Sequence, residues 1–277
     1  MATSRFVAPP AAETEVWEYA RGRWQRRSRA VPREVAWQLW LNGRPWSTLL
    51  ASPHEPTMLA LGYLANEGVL HHRDQVWDIH VVAPNLWVWL AGAAPASRPQ
   101  VRTTGCGQAW TSAAPEPDPA GTRAQAPARA CVDPERVLAW MRTMAREARG
   151  YAVSGGLHAA ALVHPQAGLR HLAEDVGRHN AVDRLRGWAL WTGHPTQGHW
   201  LLVSGRISSE MVTKAVAMGV ALLVSRTAAT ARALRLARGY GLPVITYARG
   251  GRLRAYGLSP CDAAQTQSPM LSSTMTK

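Results

Sequence analysis

Short segments that are apolar on nearly every residue, two of them running into a helical stretch, constrain this chain more than any other feature. Trp200-Leu201-Leu202-Val203 leads straight into Ser204-Gly205-Arg206 and then Ser208-Ser209-Glu210-Met211-Val212. Val220 to Val224 leads into Thr227 to Arg238, and Pro243 to Tyr247 follows. A strand with no polar face must be covered on both sides, and strands joined through helices are the usual way to achieve this. His158 to Val163 and Gly168 to Ala173 add an antiparallel pair across His164-Pro165-Gln166-Ala167, so the predicted sheet is mixed. Asp133-Pro134 opens a helix with Asp as N-cap and Leu138, Met141, Met144, Ala145 and Ala148 on one stripe, stopping at Gly150. A further helix runs from the Gly177 turn to about Trp191. The expectation is a three-layer α/β domain over 131–261.

A smaller α+β unit precedes it over 31–100. Val35, Trp37, Leu39 and Leu41 alternate along a strand, Asn42-Gly43 turns, and Trp46 to Leu50 returns. Ser52-Pro53-His54-Glu55 reads as a capping box for a helix to Asn66, ended by Gly68. Gln75 to Val82 and Leu86 to Leu90 form a second hairpin turned at Pro84-Asn85, with Trp87 and Trp89 on one face sealed against another layer. The Pro/Ala-rich, then Arg-rich residues 1–30 read as a disordered arm. Residues 101–130 read as a mobile loop and linker carrying Cys106, and 262–277 as a disordered tail.

Of the 277 residues 47% are apolar, enough for a large core, and no apolar run nears the roughly 20 residues that span a bilayer. With no signal-peptide pattern and three scattered cysteines (Cys106, Cys131, Cys261), the expectation is a cytoplasmic protein without a disulfide framework. The net charge of +13 comes almost entirely from arginine, since Lys214 and Lys277 are the only lysines. That suits a polyanionic ligand or an acidic partner. The arginines do not alternate with an aromatic platform, which argues against a nucleic-acid module.

Several residues carry candidate chemistry. Ser204-Gly205-Arg206 between a buried strand and a helix suits an anion, with Arg206 adding a guanidinium fork; a simple Ser208 cap with a solvated Arg206 is the competing reading. Arg178, His179 and Asn180 stand at a second strand-to-helix turn and can meet phosphate or a purine edge. Gly155-Gly156 precedes a strand that opens with His158, which is either a site residue or a satisfied core histidine. Cys106 in Gly-Cys-Gly is sterically open, as a reactive thiol requires. Neither a Walker loop nor Gly-x-Gly-x-x-Gly is present. His158-Ala159-Ala160 lacks the glutamate of a zinc deaminase, so no metal site is expected. A Ser204–His179–Asp183 hydrolase array lacks the Gly-x-Ser-x-Gly elbow.

These segments together resemble the formate dehydrogenase accessory sulfurtransferase family, FdhD. The matching residues are Leu61 to Gly68, Thr104 to Gly107, Gly155 to Ala160, Glu174 to Ala181, Ser204-Gly205-Arg206 with Glu210-Met211-Val212, and Arg249-Gly250-Gly251, in family order over roughly 31–256. The resemblance implies a large domain of cytidine-deaminase-like topology without zinc chemistry, a small N-terminal domain, and a homodimer. It implies a sulfurtransferase that carries persulfide sulfur from a cysteine desulfurase to the bis-molybdopterin guanine dinucleotide cofactor of formate dehydrogenase. Cys106 would be the carrier, and Gly155, Gly156, His158, Arg178, His179, Asn180, Ser204, Gly205 and Arg206 would hold the cofactor or guanine nucleotides. The family's second Cys-x-x-Cys position is Ala109 here. A dimeric cofactor-binding chaperone without sulfur transfer is the alternative.

Overall fold

Turn chemistry and strand alternation build the N-terminal half. The computed structural model describes residues 10–92, 100–102, 110–112 and 132–258. Asn42 and Gly43 both take positive φ, 48° and 77°, the type I′ geometry that suits a two-residue hairpin loop. That turn joins β3 (Val35–Leu41) to β4 (Arg44–Ala51). A second hairpin, β5 (Val76–Val82) and β6 (Asn85–Leu90), completes a four-stranded sheet in the order β4-β3-β6-β5. Leu39, Leu41, Leu86 and Val88 face inward against α1 (Pro56–Asn66), which is buried nearly all round. Trp87 and Trp89 do share a face, but it is the half-buried one opposite this core, because Leu86 and Val88 take the sealed side.

The sequence reading of the first 30 residues needs correcting. Within it, β1 (Ala11–Ala20) and β2 (Arg23–Pro32) form an antiparallel hairpin. Arg21 and Gly22 again take positive φ, 52° and 79°, so the turn is of the same kind without an asparagine. Cross-strand pairs Glu15–Arg26 and Glu18–Arg29 line it. Most of its side chains face solvent, so it lacks the apolar alternation that marks a strand in sequence.

The helix start differs as well. No capping box forms at Ser52: α1 begins at Pro56, and Glu55 stands before it at φ 43° without a side-chain cap. Ser52 instead accepts from the Val176 amide and donates its own amide to Asp175. Tertiary bonding has taken the serine that the local pattern assigns to the helix.

The larger unit has a six-stranded sheet, β10-β9-β11-β12-β13-β14. It comprises β9 (His158–His164), β10 (Gly168–Asp175), β11 (Trp200–Val203), β12 (Leu222–Ser225), β13 (Val244–Arg249) and β14 (Arg252–Tyr256). β11, β12 and β13 are parallel and the other pairings antiparallel, so the predicted mixed sheet forms. Leu201, Val203 and Leu223 face α4 (Arg178–Thr192), α5 (Ser209–Ala217) and α6 (Ala231–Gly239) on one side. Trp200, Leu202, Leu222 and Val224 face α2 (Pro134–Glu147) on the other, giving three layers. Asp133 caps α2 as predicted, but the helix ends at Glu147 and a short α3 (Arg149–Ser154) follows. Val137 joins the buried stripe and Ala145 is exposed. β7 (Gln100–Arg102) pairs with β8 (Trp110–Ser112). Cys106 and Ala109 between them lie outside the described residues, as do Cys131, Cys261 and the 262–277 tail.

The two units share one structural joint. A Cβ on Gly62 would stand 1.6 Å from the Asp183 carbonyl oxygen, and one on Gly187 would stand 1.9 Å from the Met58 carbonyl oxygen. Helices α1 and α4 thus cross backbone against backbone. Neither clash can be relieved by rotating a side chain. Gly62→Ala and Gly187→Ala should each cost about 3 kcal/mol or more, at the upper end for overpacking, measured as a lowered urea midpoint. Wild-type stability in either variant would refute the close crossing.

Candidate functional site

Strand direction gathers the predicted residues at one edge of the large sheet. The carboxyl ends of β11, β12 and β13 lie on this edge, and antiparallel β9 brings its first residue, His158, to the same place. β10 ends there opposite His158 and feeds α4. The carboxyl edge of parallel strands is where ligands bind in open α/β sheets.

Ser204 Oγ accepts the Ala159 amide at 2.9 Å and lies 3.2 Å from His158 Nδ1. A Cβ on Gly205 would come within 3.0 Å of Arg178 and 3.3 Å of His158 Nδ1, so a larger residue would have to push these side chains back from the strand end. The loop beyond is fixed from beneath: Ser225 Oγ donates to the Gly205 carbonyl at 2.7 Å and accepts the Thr227 amide at 2.9 Å. His158, Arg178, Ser204 and Gly205 are therefore brought together, and His158 is hydrogen-bonded and only half-buried.

The two helix N-termini differ. α5 is capped by Ser208 and carries Glu210 in its first turn. α4 has Gly177 at the N-cap, no side-chain cap and no acid in its first turn, and the buried Nε of Arg178 has no hydrogen-bond partner. A helix N-terminus without a side-chain cap beside an arginine suits an anion, although here the buried Asp175 carboxylate already takes the Gly177 amide.

His179 turns inward. Its Nε2 lies 3.0 Å from Ser208 Oγ and its Nδ1 3.4 Å from Glu210 Oε2. Glu210 approaches Lys214, which donates to both oxygens of Asp183 at 2.6 and 2.8 Å, and Asn66 Nδ2 donates to Asp183 Oδ1 at 2.7 Å. Ser204, His179 and Asp183 thus have separate partners and form no hydrolase array. Burial, then the charges of Lys214 and Arg178, hold His179 well below the usual histidine range; burial and Arg178 lower His158. Burial raises Glu210. Burial alone would lower Lys214, but the carboxylates of Asp183, Glu210 and Glu67 outweigh it and keep the ammonium charged.

Asn180 is held structurally: its Nδ2 donates to the Leu50 carbonyl at 2.6 Å and to Asp175 at 3.1 Å. Arg206 is exposed at the rim. Gly155 closes α3 at φ 68°, and a Cβ on Gly156 would meet Pro32 at 2.5 Å, so Gly156 also seats the N-terminal hairpin. Among the described residues no group of three or more His, Cys, Asp or Glu could hold a metal ion.

Sequence reasoning missed the groups behind the edge. Asp175 receives the Ser52 and Gly177 amides and a buried Arg184 pair at 2.7 Å. Arg184 also donates to the carbonyls of Ser52, His54 and Glu55. Lys214 was detectable: Met211, Lys214, Ala215 and Met218 stand at core spacing, so this lysine lies on a buried stripe. Asp175 and Arg184 gave no periodic signal.

With this geometry in place, comparison with known proteins is decisive. The FdhD/NarQ family matches residues 32–259. The chain belongs to the FdhD/NarQ family. Relatives include a protein named sulfur carrier protein FdhD from Bacillus subtilis, 29% identical over 251 residues, covering 88% of this chain and 95% of that one. One of the same name from Streptomyces avermitilis is 32% identical over 246 residues, covering 78% and 83%. A crystal structure from Desulfotalea psychrophila, described as a candidate formate dehydrogenase accessory protein, shares the fold at TM-score 0.73 and 20% identity, over 91% of this chain and 98% of that one. In this FdhD/NarQ member no helix among the described residues is long and apolar enough to cross a membrane.

The buried histidines make stability depend on acid. Burial holds His54 and His171 at about 4, and His158 and His179 are also lowered. The unfolded chain binds protons below the ordinary pKa of about 6.5 while the folded chain resists them, so stability rises with pH through this window. Urea midpoints should be flat above pH 7.5 and fall from about pH 6.5 toward 4, with a shallower fall in His171→Gln. A pH-independent midpoint across that range would contradict the buried neutral state.

Proposed function

We propose that the protein is a sulfur carrier serving formate dehydrogenase: Cys106 accepts persulfide sulfur from a cysteine desulfurase and passes it to the bis-molybdopterin guanine dinucleotide cofactor. The observation that carries this reading is the family match across 32–259, joined to relatives named as sulfur carriers over nearly the same span. The reading extends to a cytoplasmic homodimer, because a cofactor with two similar nucleotide halves suits a twofold pair of equivalent sites. A cytidine-deaminase-like topology for the large unit belongs to the same reading.

The carboxyl edge supports the nucleotide end of the substrate. Arg178 with the N-terminus of α4, and Arg206 at the rim, supply donors for phosphate oxygens. His158, held neutral with Nδ1 on Ser204, keeps Nε2 for a base edge or a phosphate, whereas both nitrogens of His179 are engaged by Ser208 and Glu210, so His179 shapes the edge from behind. Gly155 and Gly156 lie on the approach to His158, and Asn180 sets the first turn of α4. Free guanine nucleotides would occupy the same site.

The sulfur step needs one thiolate. Cys106 sulfur attacks the sulfane sulfur of the donor persulfide, a new S–S bond forms, the old one breaks, and the donor leaves as its own thiolate, with no net oxidation. Ala109 leaves no neighbouring thiol at the second motif position to attack the carried sulfur. That substitution also favours the second reading, a cofactor-binding chaperone that loads no sulfur.

Mass spectrometry after incubation with a cysteine desulfurase and cysteine separates the two. Cys106 should gain one sulfur atom, Cys106→Ala should gain none and fail to activate formate dehydrogenase, and Cys131→Ala and Cys261→Ala should behave as wild type. Activation by Cys106→Ala would replace the carrier with the chaperone. Arg178→Ala and Arg206→Ala should each weaken guanosine diphosphate binding by about 1–3 kcal/mol in calorimetry; unchanged binding removes that arginine from the site.

A further inference from the structure

The opposite end of α4 holds a second cavity that the sulfur-carrier reading does not use. It has a volume of about 540 Å³ and lies between the 3₁₀ turn Arg73–Gln75, the last turns of α4 and α5, and the loop through His194 and Gln197. Its charged and titratable lining consists of Arg73, Arg186, His71, His72 and His194 against one acid, Asp74. Arg186 is the unusual member. Its Nη1 donates to Thr196 Oγ1 at 2.9 Å, but its Nε is buried with no hydrogen-bond partner. Among the described residues no carboxylate lies within ion-pair distance of it. His194 Nε2 in the same wall is also buried and unpartnered. A buried donor left unmade carries the full cost of its desolvation, and for a guanidinium that cost is greatest.

The helix ends do not supply the missing acceptor. Both α4 and α5 end at this cavity, and several of their last carbonyls already have partners. Arg73 Nη1 donates to the Trp191 carbonyl at 3.1 Å, and its guanidinium lies 4.4 Å over the Trp191 ring. Thr196 Oγ1 donates to the Met218 carbonyl at 2.6 Å. The His194 amide bonds Ala189 and the Gly219 amide bonds Val216. The lining sets more cationic than anionic side chains around the space, with Leu190 and Val216 as apolar walls.

We propose that this cavity is a second, separate binding site for a compact oxyanion, a phosphate or small carboxylate, held by Arg186 with help from Arg73 and His194. Burial also lowers Arg186 from its ordinary value with no compensating charge, in keeping with a guanidinium that waits for an anion. The site lies away from the carboxyl edge and stands whether or not the sulfur-carrier reading does.

The test is calorimetry and thermal unfolding of the full chain with inorganic phosphate in one arm and malonate in the other, in a chloride buffer. Saturable binding of one anion per chain is expected, with a melting temperature that rises with ligand concentration. Whichever arm binds identifies the oxyanion class. Arg186→Gln should weaken binding about tenfold or more, the worth of one charge-assisted hydrogen bond, and Arg73→Gln less, because Arg73 already serves Trp191. Arg178→Ala and Arg206→Ala should leave it unchanged, which separates this site from the nucleotide edge. If Arg186→Gln does not fold, His194→Gln takes its place. Absence of saturable binding in both arms would overturn the proposal. So would binding that survives Arg186→Gln, or its substitute, but is lost in Arg178→Ala.

Discussion

The structure depends on how closely α1 approaches α4. Two glycines, Gly62 and Gly187, let the two backbones touch at the crossing. Around that contact sit two buried ion pairs. Arg184 joins Asp175 and gathers the carbonyls of Ser52, His54 and Glu55, while Lys214 joins Asp183, which also takes Asn66. Both pairs lie within the large unit and reach the small one through those carbonyls and Asn66. Desolvation makes such pairs poor sources of net stability, but removing one partner leaves a buried charge and costs about 3–5 kcal/mol. They tie Ser52, His54, Glu55 and Asn66 of the small unit to the large one.

That joint determines what the carboxyl edge can do. Asp175 holds the amide of Gly177 and the side chain of Asn180, which fixes the first turn of α4. Arg178 is thereby laid against Gly205, and His179 is turned toward Ser208 and Glu210. The edge is polar and cationic, yet its imidazoles stay neutral through burial. A preformed set of donors and neutral rings suits an anionic nucleotide better than proton-transfer chemistry, which calls for a pKa near neutrality.

The layered α/β architecture was legible because strands such as Trp200–Val203 have no polar residue to spare for solvent. Asn42-Gly43 was legible because few residue pairs accept two positive φ angles in succession. The Arg21-Gly22 hairpin was not, since both its faces meet water and its strands carry charge where a core strand carries apolar residues. Ser52 misled for a different reason: a local capping pattern is worth about 1 kcal/mol, and bonding to Asp175 and Val176 outweighs it. At the site, Ser204, Gly205, Arg178 and His158 could be named from strand-to-helix junctions. Their supporting groups could not, because a buried pair such as Asp175–Arg184 looks in sequence like any solvated acid and base. Cys106 was read from its flanking glycines and the family motif, and it lies outside the described residues.

The central claim is that one carboxyl edge, assembled by the α1–α4 joint, receives the nucleotide end of the substrate. Hydrogen–deuterium exchange with and without guanosine diphosphate tests it most directly. The account predicts added protection at the amides of residues 177–180 and 204–207, with little change in α2 or in the β1–β2 hairpin. Protection confined to any other part of the chain, with the 177–180 and 204–207 amides unaffected, would contradict it.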